Sequence, residues 1–170
     1  MDEDSYRQTY NRINNAPCVF EKGILSLKSQ CTYQHKFHLA DRHCVGCTDT
    51  VMQLNCKAFL DHLRKQTRFI FKINIDGPLP HNKEIKVQNG GMLGIQKLLV
   101  SQSANQLPNE PPSQLPEKCS TSDTDQSLPD IAVLMQKSIE CYGSIEAVPY
   151  NLIMPSVTNY KTRPKRQKSK

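Results

Sequence analysis

Residues 44–63 read CVGCTDTVMQLNCKAFLDHL, and two patterns overlap in them. Cys44-Val45-Gly46-Cys47 has the C-x-x-C spacing that can aim two thiolates at one ion, and Gly46 permits the tight turn of such a knuckle. Thr48-Asp49-Thr50 then supplies residue types that cap helix N-termini. Beyond them Met52, Cys56, Phe59, Leu60 and Leu63 recur at helical spacing, with Lys57, Asp61, Arg64 and Lys65 elsewhere. The spacing predicts an amphipathic helix over about 50–66. Cys56 lies on its buried stripe, about two turns into the helix.

Working outward, five of the seven cysteines fall between Cys18 and Cys56, in the pattern C-x12-C-x12-C-x2-C-x8-C, with His35, His38 and His43 among them. Four thiolates can hold a [4Fe–4S] cluster or a structural Zn²⁺. Structural zinc draws its ligands mostly from two short-spaced pairs, and only one such pair is present. The asymmetry favours an iron–sulfur cluster, held by four of Cys18, Cys31, Cys44, Cys47 and Cys56. Zinc, completed by His35 or His38, is the alternative. For any single cysteine, inert burial competes with ligation. Cys119 and Cys141 have no cysteine partner nearby in sequence and are read as non-ligands.

The flanking elements are read as follows. Residues 1–16 form a loose polar arm, Phe20 to Leu27 a helical turn or two, and Tyr33 to Arg42 a second short helix. Alternation of Phe69, Phe71, Ile73 and Ile75 predicts a strand over 68–75, and Ile85 with Val87 a second over 83–88. Asn89-Gly90-Gly91 is read as a turn rather than a phosphate cradle, and Met92 to Val100 as a short buried helix. His81, Lys83 and Lys86 are read as a solvated face rather than an anion site. Residues 101–128, with Pro108, Pro111, Pro112 and Pro116 in a polar run, predict a disordered linker. Ile131, Leu134, Met135, Ile139 and Tyr142 mark a helix between Pro129 and Gly143. Pro149 and Pro155 argue against one continuous helix over 145–160.

The expected fold is α+β: a cysteine-lined helical segment with a small antiparallel sheet in 1–100, the linker 101–128, a C-terminal helical segment 129–160, and a basic tail 161–170. The chain has 170 residues, 37% of them apolar, below the usual range of about 45–50%. No apolar run follows the acidic start, and none is long enough to span a membrane. A cytoplasmic location is therefore expected, where cysteines favour metal over disulfides. The net charge of +6 resides in Lys161, Arg163, Lys165, Arg166, Lys168 and Lys170. That tail is a candidate contact for nucleic acid.

Cys18 through Cys56, Leu79-Pro80-His81 with Lys83, Lys86 through Gly91, and Tyr142 through Ile145 ending in Pro149-Tyr150 together resemble a family of small uncharacterised bacterial proteins with four N-terminal cysteines. The resemblance supplies no activity. It implies that Cys18, Cys31, Cys47 and Cys56 are the family's four cysteines and that Cys44 stands where the family has another residue type.

The expectation from these readings is a non-enzymatic iron–sulfur or zinc protein in an accessory or regulatory role, working with an unknown protein partner. Two alternatives are a nucleic-acid-binding protein with a structural metal, and an electron-transfer component of a redox enzyme. No protease or hydrolase signature accompanies the cysteines.

Overall fold

The computed structural model describes residues 2–73, 78–104 and 128–162, the side chains of 103 and 104 excepted. The fold is α+β: six helices and one two-stranded antiparallel sheet among the described residues. In chain order these are α1 (Glu3–Ile13), α2 (Glu21–Leu25), β1 (Gln34–Leu39), β2 (Arg42–Cys47), α3 (Thr50–Ile70), α4 (His81–Ala104), α5 (Ile131–Tyr142) and α6 (Tyr150–Asn159).

Helix α3 forms where the sequence places it and runs one turn further. Asp49 caps it, its carboxylate accepting the Met52 N–H at 2.8 Å. Cys56, Phe59, Leu60, Leu63 and Thr67 make the buried stripe. The extra turn removes the first expected strand: residues 68–70 are helical, Phe71 is the C-cap, and Lys72 takes a left-handed φ of 50°. Phe69, whose alternation suggested the strand, is 84% exposed. Residues 74–75 of that expected strand lie outside the described residues.

The second expected strand is also helix. Pro80 starts α4, its carbonyl accepting the N–H groups of Lys83 (2.8 Å) and Glu84 (2.9 Å). Glu84, Val87, Gln88, Met92, Ile95 and Leu99 are buried at helical spacing. Two of these are polar, so an apolar alternation of Ile85 and Val87 misleads. Asn89-Gly90-Gly91 lies inside this helix and makes no turn. A Cβ on Gly90 would stand 2.6 Å from the Val157 Cα, and one on Gly91 would collide with Leu63. These glycines let α6 and α3 pack closely on α4. The short helix expected over 92–100 is the second half of α4, which also takes in 101–104 of the expected linker. Residues 105–127 of that linker lie outside the described residues.

Tyr33 to Arg42 does not form a helix. It is the start of a hairpin in which Leu39 pairs with Arg42 and Gln34 with Cys47. The two-residue loop is Ala40-Asp41, with Ala40 at φ 53°, a position that Asn or Gly usually announces. The expected loose arm is helix α1. Asp2 caps it by accepting the Ser5 N–H at 2.7 Å, and Glu3 and Asp4 suit the positive end of its dipole. It docks on the hairpin through polar and aromatic contacts. Arg42 donates to Glu3 at 2.9 Å and lies over the Tyr6 ring at 4.3 Å, and Tyr10 stacks on Phe37.

Helix α5 agrees with the sequence reading. Asp130 caps it through the Ala132 and Val133 N–H groups, and Gly143 ends it at φ 82°. Helix α6 starts after Pro149 and carries Pro155 inside, burying Tyr150, Ile153, Met154 and Val157. The C-terminal helices share one apolar core with α2, β2, α3 and α4, built around Phe20, Phe59, Leu63, Ile95, Met135 and Ile153. No helix among the described residues is long and apolar enough to cross a membrane.

Candidate metal centre

Four cysteines reach one region from four separate segments. Cys18 lies on the chain between α1 and α2, which runs along β2. Its N–H donates to the Val45 carbonyl (3.0 Å), and the Cys47 N–H donates to the Ala16 carbonyl (2.7 Å). An antiparallel bridge joins Pro17 to Gly46 between them. Gly46 serves this crossing rather than a knuckle: a Cβ there would stand 2.8 Å from Asn14 Oδ1, and Asn14 Nδ2 donates to the Val45 carbonyl.

Cys31 follows α2. Its neighbour Gln30 forms a parallel bridge with Asp130, exchanging hydrogen bonds with Pro129 (3.0 Å) and Ile131 (2.8 Å). This lays the start of α5 beside Cys31. Cys47 ends β2, and its Sγ donates to the Asp49 carbonyl at 3.1 Å. Asp49 caps α3, and Cys56 sits on the buried stripe of that helix.

Electrostatics ties the four together. Cys18 interacts with Cys31 and Cys47, Cys31 with Cys47, and Cys56 with all three. Every pairing among the four is present. Burial is the main influence on three of them: it pushes the Cys18 thiol up to about 12, raises Cys31, and takes Cys56 well above the ordinary thiol value. Backbone donors act in the opposite sense. The nearby backbone N–H groups of Phe20 at Cys18, and of Tyr33 and Ala132 at Cys31, favour the thiolate. Burial therefore favours the neutral thiol at these three sulfurs.

Cys44 is placed elsewhere. It is 1% exposed, and its sulfur lies 3.2 Å from the Tyr6 hydroxyl and 3.8 Å from the Arg42 carbonyl. Cys44 and Cys47 are three residues apart on an extended strand, so they face opposite sides of the hairpin. The C-x-x-C knuckle read from spacing is not formed. The expected histidines are also elsewhere. His35 stacks on Phe37 at 5.8 Å, on the α1 side of the sheet, and His38 meets His43 at 4.3 Å near the hairpin loop. Cys141 is exposed on α5, and Cys119 lies outside the described residues. Among the described residues, no three His, Cys, Asp or Glu side chains are gathered closely enough to hold a single ion.

Of the expected solvated face of His81, Lys83 and Lys86, His81 is exposed and the two lysines are half-buried. Lys83 lies 3.9 Å over the Phe71 ring, and Lys86 donates to the Thr158 carbonyl. Of the basic tail, Lys161 is exposed just beyond α6. Arg163, Lys165, Arg166, Lys168 and Lys170 lie outside the described residues. The part of the site that sequence could not reveal is α5. The start of that helix is laid beside Cys31 by the Gln30–Asp130 bridge and by the Thr32 hydroxyl, which donates to Asp130. No protein family, curated protein or solved structure matches the chain.

Proposed function

We propose that this chain is a non-enzymatic metal protein whose Cys18, Cys31, Cys47 and Cys56 thiolates hold an iron–sulfur cluster in an accessory or regulatory role. The observation that supports the reading is the placement of these cysteines: the Pro17–Gly46 bridge sets Cys18 and Cys47 on neighbouring segments, the Gln30–Asp130 bridge fixes Cys31, and Cys56 lies on the buried stripe of α3. The same four were selected by resemblance, and Cys44, which spacing alone would have preferred, is turned toward Tyr6.

The donor set fits such a group. It is all sulfur, with Cys31 and Cys56 buried and Cys18 and Cys47 half-buried. A cluster distributes its thiolates over several irons and accepts them at wider separations than one Zn²⁺, which needs four sulfurs at about 2.3 Å from a single centre. When bound, a [4Fe–4S] cluster supplies either a one-electron redox centre or a cross-link between distant segments.

Absorption spectroscopy on anaerobically purified protein tests this reading. A cluster gives a brown protein with a broad band near about 400 nm, from thiolate-to-iron charge transfer. Colourless protein with stoichiometric zinc would move the assignment to a structural zinc site. Colourless protein without metal, reconstitution included, would overturn it.

A further inference from the structure

A pair of metal-ligating side chains stands at the tip of the hairpin, apart from the cysteines. His38 and His43 are partners in the ladder, one step from the Leu39–Arg42 pair that closes the loop. The backbone fixes which kind of pair they form. On β2 the Val45 carbonyl accepts from Cys18 and the Cys47 N–H donates to Ala16, so these residues turn their backbone groups away from β1. His43 shares their parity. His38 and His43 are therefore a non-hydrogen-bonded pair, the kind whose side chains stand closest. The rings follow: their centroids are 4.3 Å apart and their planes are inclined at 58°, not stacked. Both residues are exposed, and neither makes a hydrogen bond or ion pair with a described residue. Of the charged residues flanking them in the hairpin, Arg42 is paired with Glu3, and Lys36 and Asp41 are exposed and of opposite sign.

We propose that His38 and His43 chelate one divalent ion of the late first transition row. Imidazole suits Cu²⁺, Ni²⁺ and Zn²⁺, and the Irving–Williams order favours copper among them. Two nitrogens that share one ion at about 2.0–2.1 Å stand roughly 3 Å apart. Rings this close reach that separation by turning about their own side-chain torsions. The hairpin holds both ligands together, so the second imidazole binds as an intramolecular event. Two protein ligands leave the other coordination positions to water, so the site is an exchangeable one and not a structural one. It goes beyond the cysteine centre and does not depend on it. His43 lies four residues before Cys47 on β2, about 13 Å along the strand.

NMR of the imidazole protons in the full-length protein tests the proposal, with Ni²⁺ added at mildly alkaline pH, where free imidazole is neutral. Paramagnetic Ni²⁺ should broaden the His38 and His43 signals together, before those of His35, His62 and His81. His38→Ala and His43→Ala should each weaken Ni²⁺ binding at the remaining partner at least about tenfold, because the chelate is lost. Both positions are exposed, so the melting temperature should stay that of the parent. His81→Ala, which removes an exposed histidine on α4, should leave the titration unchanged. Broadening of all five histidines at the same Ni²⁺ concentration, or single variants that bind as tightly as the parent, overturns the proposal. Iron measured in the same samples keeps the two sites distinguishable. Iron-loaded protein whose histidine pair ignores Ni²⁺ sinks only this site, and iron-free protein whose pair binds Ni²⁺ sinks only the cluster.

Discussion

Glu84 is 4% exposed, on the face of α4 where an apolar residue would be expected. Its oxygens are occupied by Arg64 and by Gln88 Nε2 at 2.9 Å, and Gln88 in turn bonds the Val19 carbonyl and the Gly23 N–H. The network joins α2, α3 and α4 through polar atoms, and removing its centre leaves donors unpaired. Arg64 is about one-third exposed, so solvent relieves part of that loss. Glu84→Ala should therefore destabilise by about 2–4 kcal/mol, near the lower end for breaking a buried pair, as read by urea unfolding. Glu84→Gln keeps one acceptor and should cost clearly less. Cys44 makes the second residue-scale case. Cys44→Ser should leave metal content intact, whereas Cys47→Ser should abolish it and lower the melting temperature, since metal affinity becomes folding free energy. Metal loss from Cys44→Ser with retention in Cys47→Ser would reverse the assignment.

At the scale of elements, the α4–α6 contact depends on absent side chains. A Cβ on Gly94 would stand 2.9 Å from the Ile153 carbonyl oxygen, and one on Gly90 would stand 2.6 Å from the Val157 Cα. Alanine normally favours a helix over glycine by about 1 kcal/mol. Here backbone stands in the way, so Gly90→Ala should destabilise, by about 1–3 kcal/mol as overpacking does. A thermal melt showing stabilisation would contradict the close approach. The same pair explains what the sequence concealed. Gly90 and Gly91 look like a turn because glycine usually marks one, and the polar core residues Glu84 and Gln88 break the apolar period of α4. Helix α3 was legible because cap and stripe agree, Asp49 with Cys56 to Leu63, although its end was not, and α5 because its stripe from Ile131 is closed by Gly143. The hairpin was hidden by Ala40, which adopts a left-handed φ without the usual residue. Of the site, the cysteines were legible as residue types, but which of Cys44 and Cys47 faces the others depends on strand parity. A helix was expected at Tyr33 to Arg42, so that parity could not be read.

The start of α5 lies beside Cys31 through the Gln30–Asp130 bridge, so the segments before and after residue 128 meet next to the cysteines. Metal loss should therefore loosen α5 as well as the N-terminal half. Amide hydrogen exchange at Ala132 and Val133 should accelerate when the metal is chelated, while the midpoint of α4 changes less. Equal protection with and without metal would detach α5 from the site. The charge of the molecule is a separate matter. Six basic residues in the last ten carry the net +6. If they engage duplex DNA fully, the log–log salt dependence has a slope of roughly −5, and a chain ending at residue 160 should lose both binding and slope. Unchanged binding by the shortened chain would remove the tail from any nucleic-acid contact. The measurement that bears most directly on the central claim is iron and acid-labile sulfide per chain, in anaerobically purified protein and in its Cys56→Ser variant. A [4Fe–4S] centre on Cys18, Cys31, Cys47 and Cys56 predicts about four of each in the parent and a large loss in the variant. Iron and sulfide absent from the reconstituted parent, or undiminished in the variant, would contradict it.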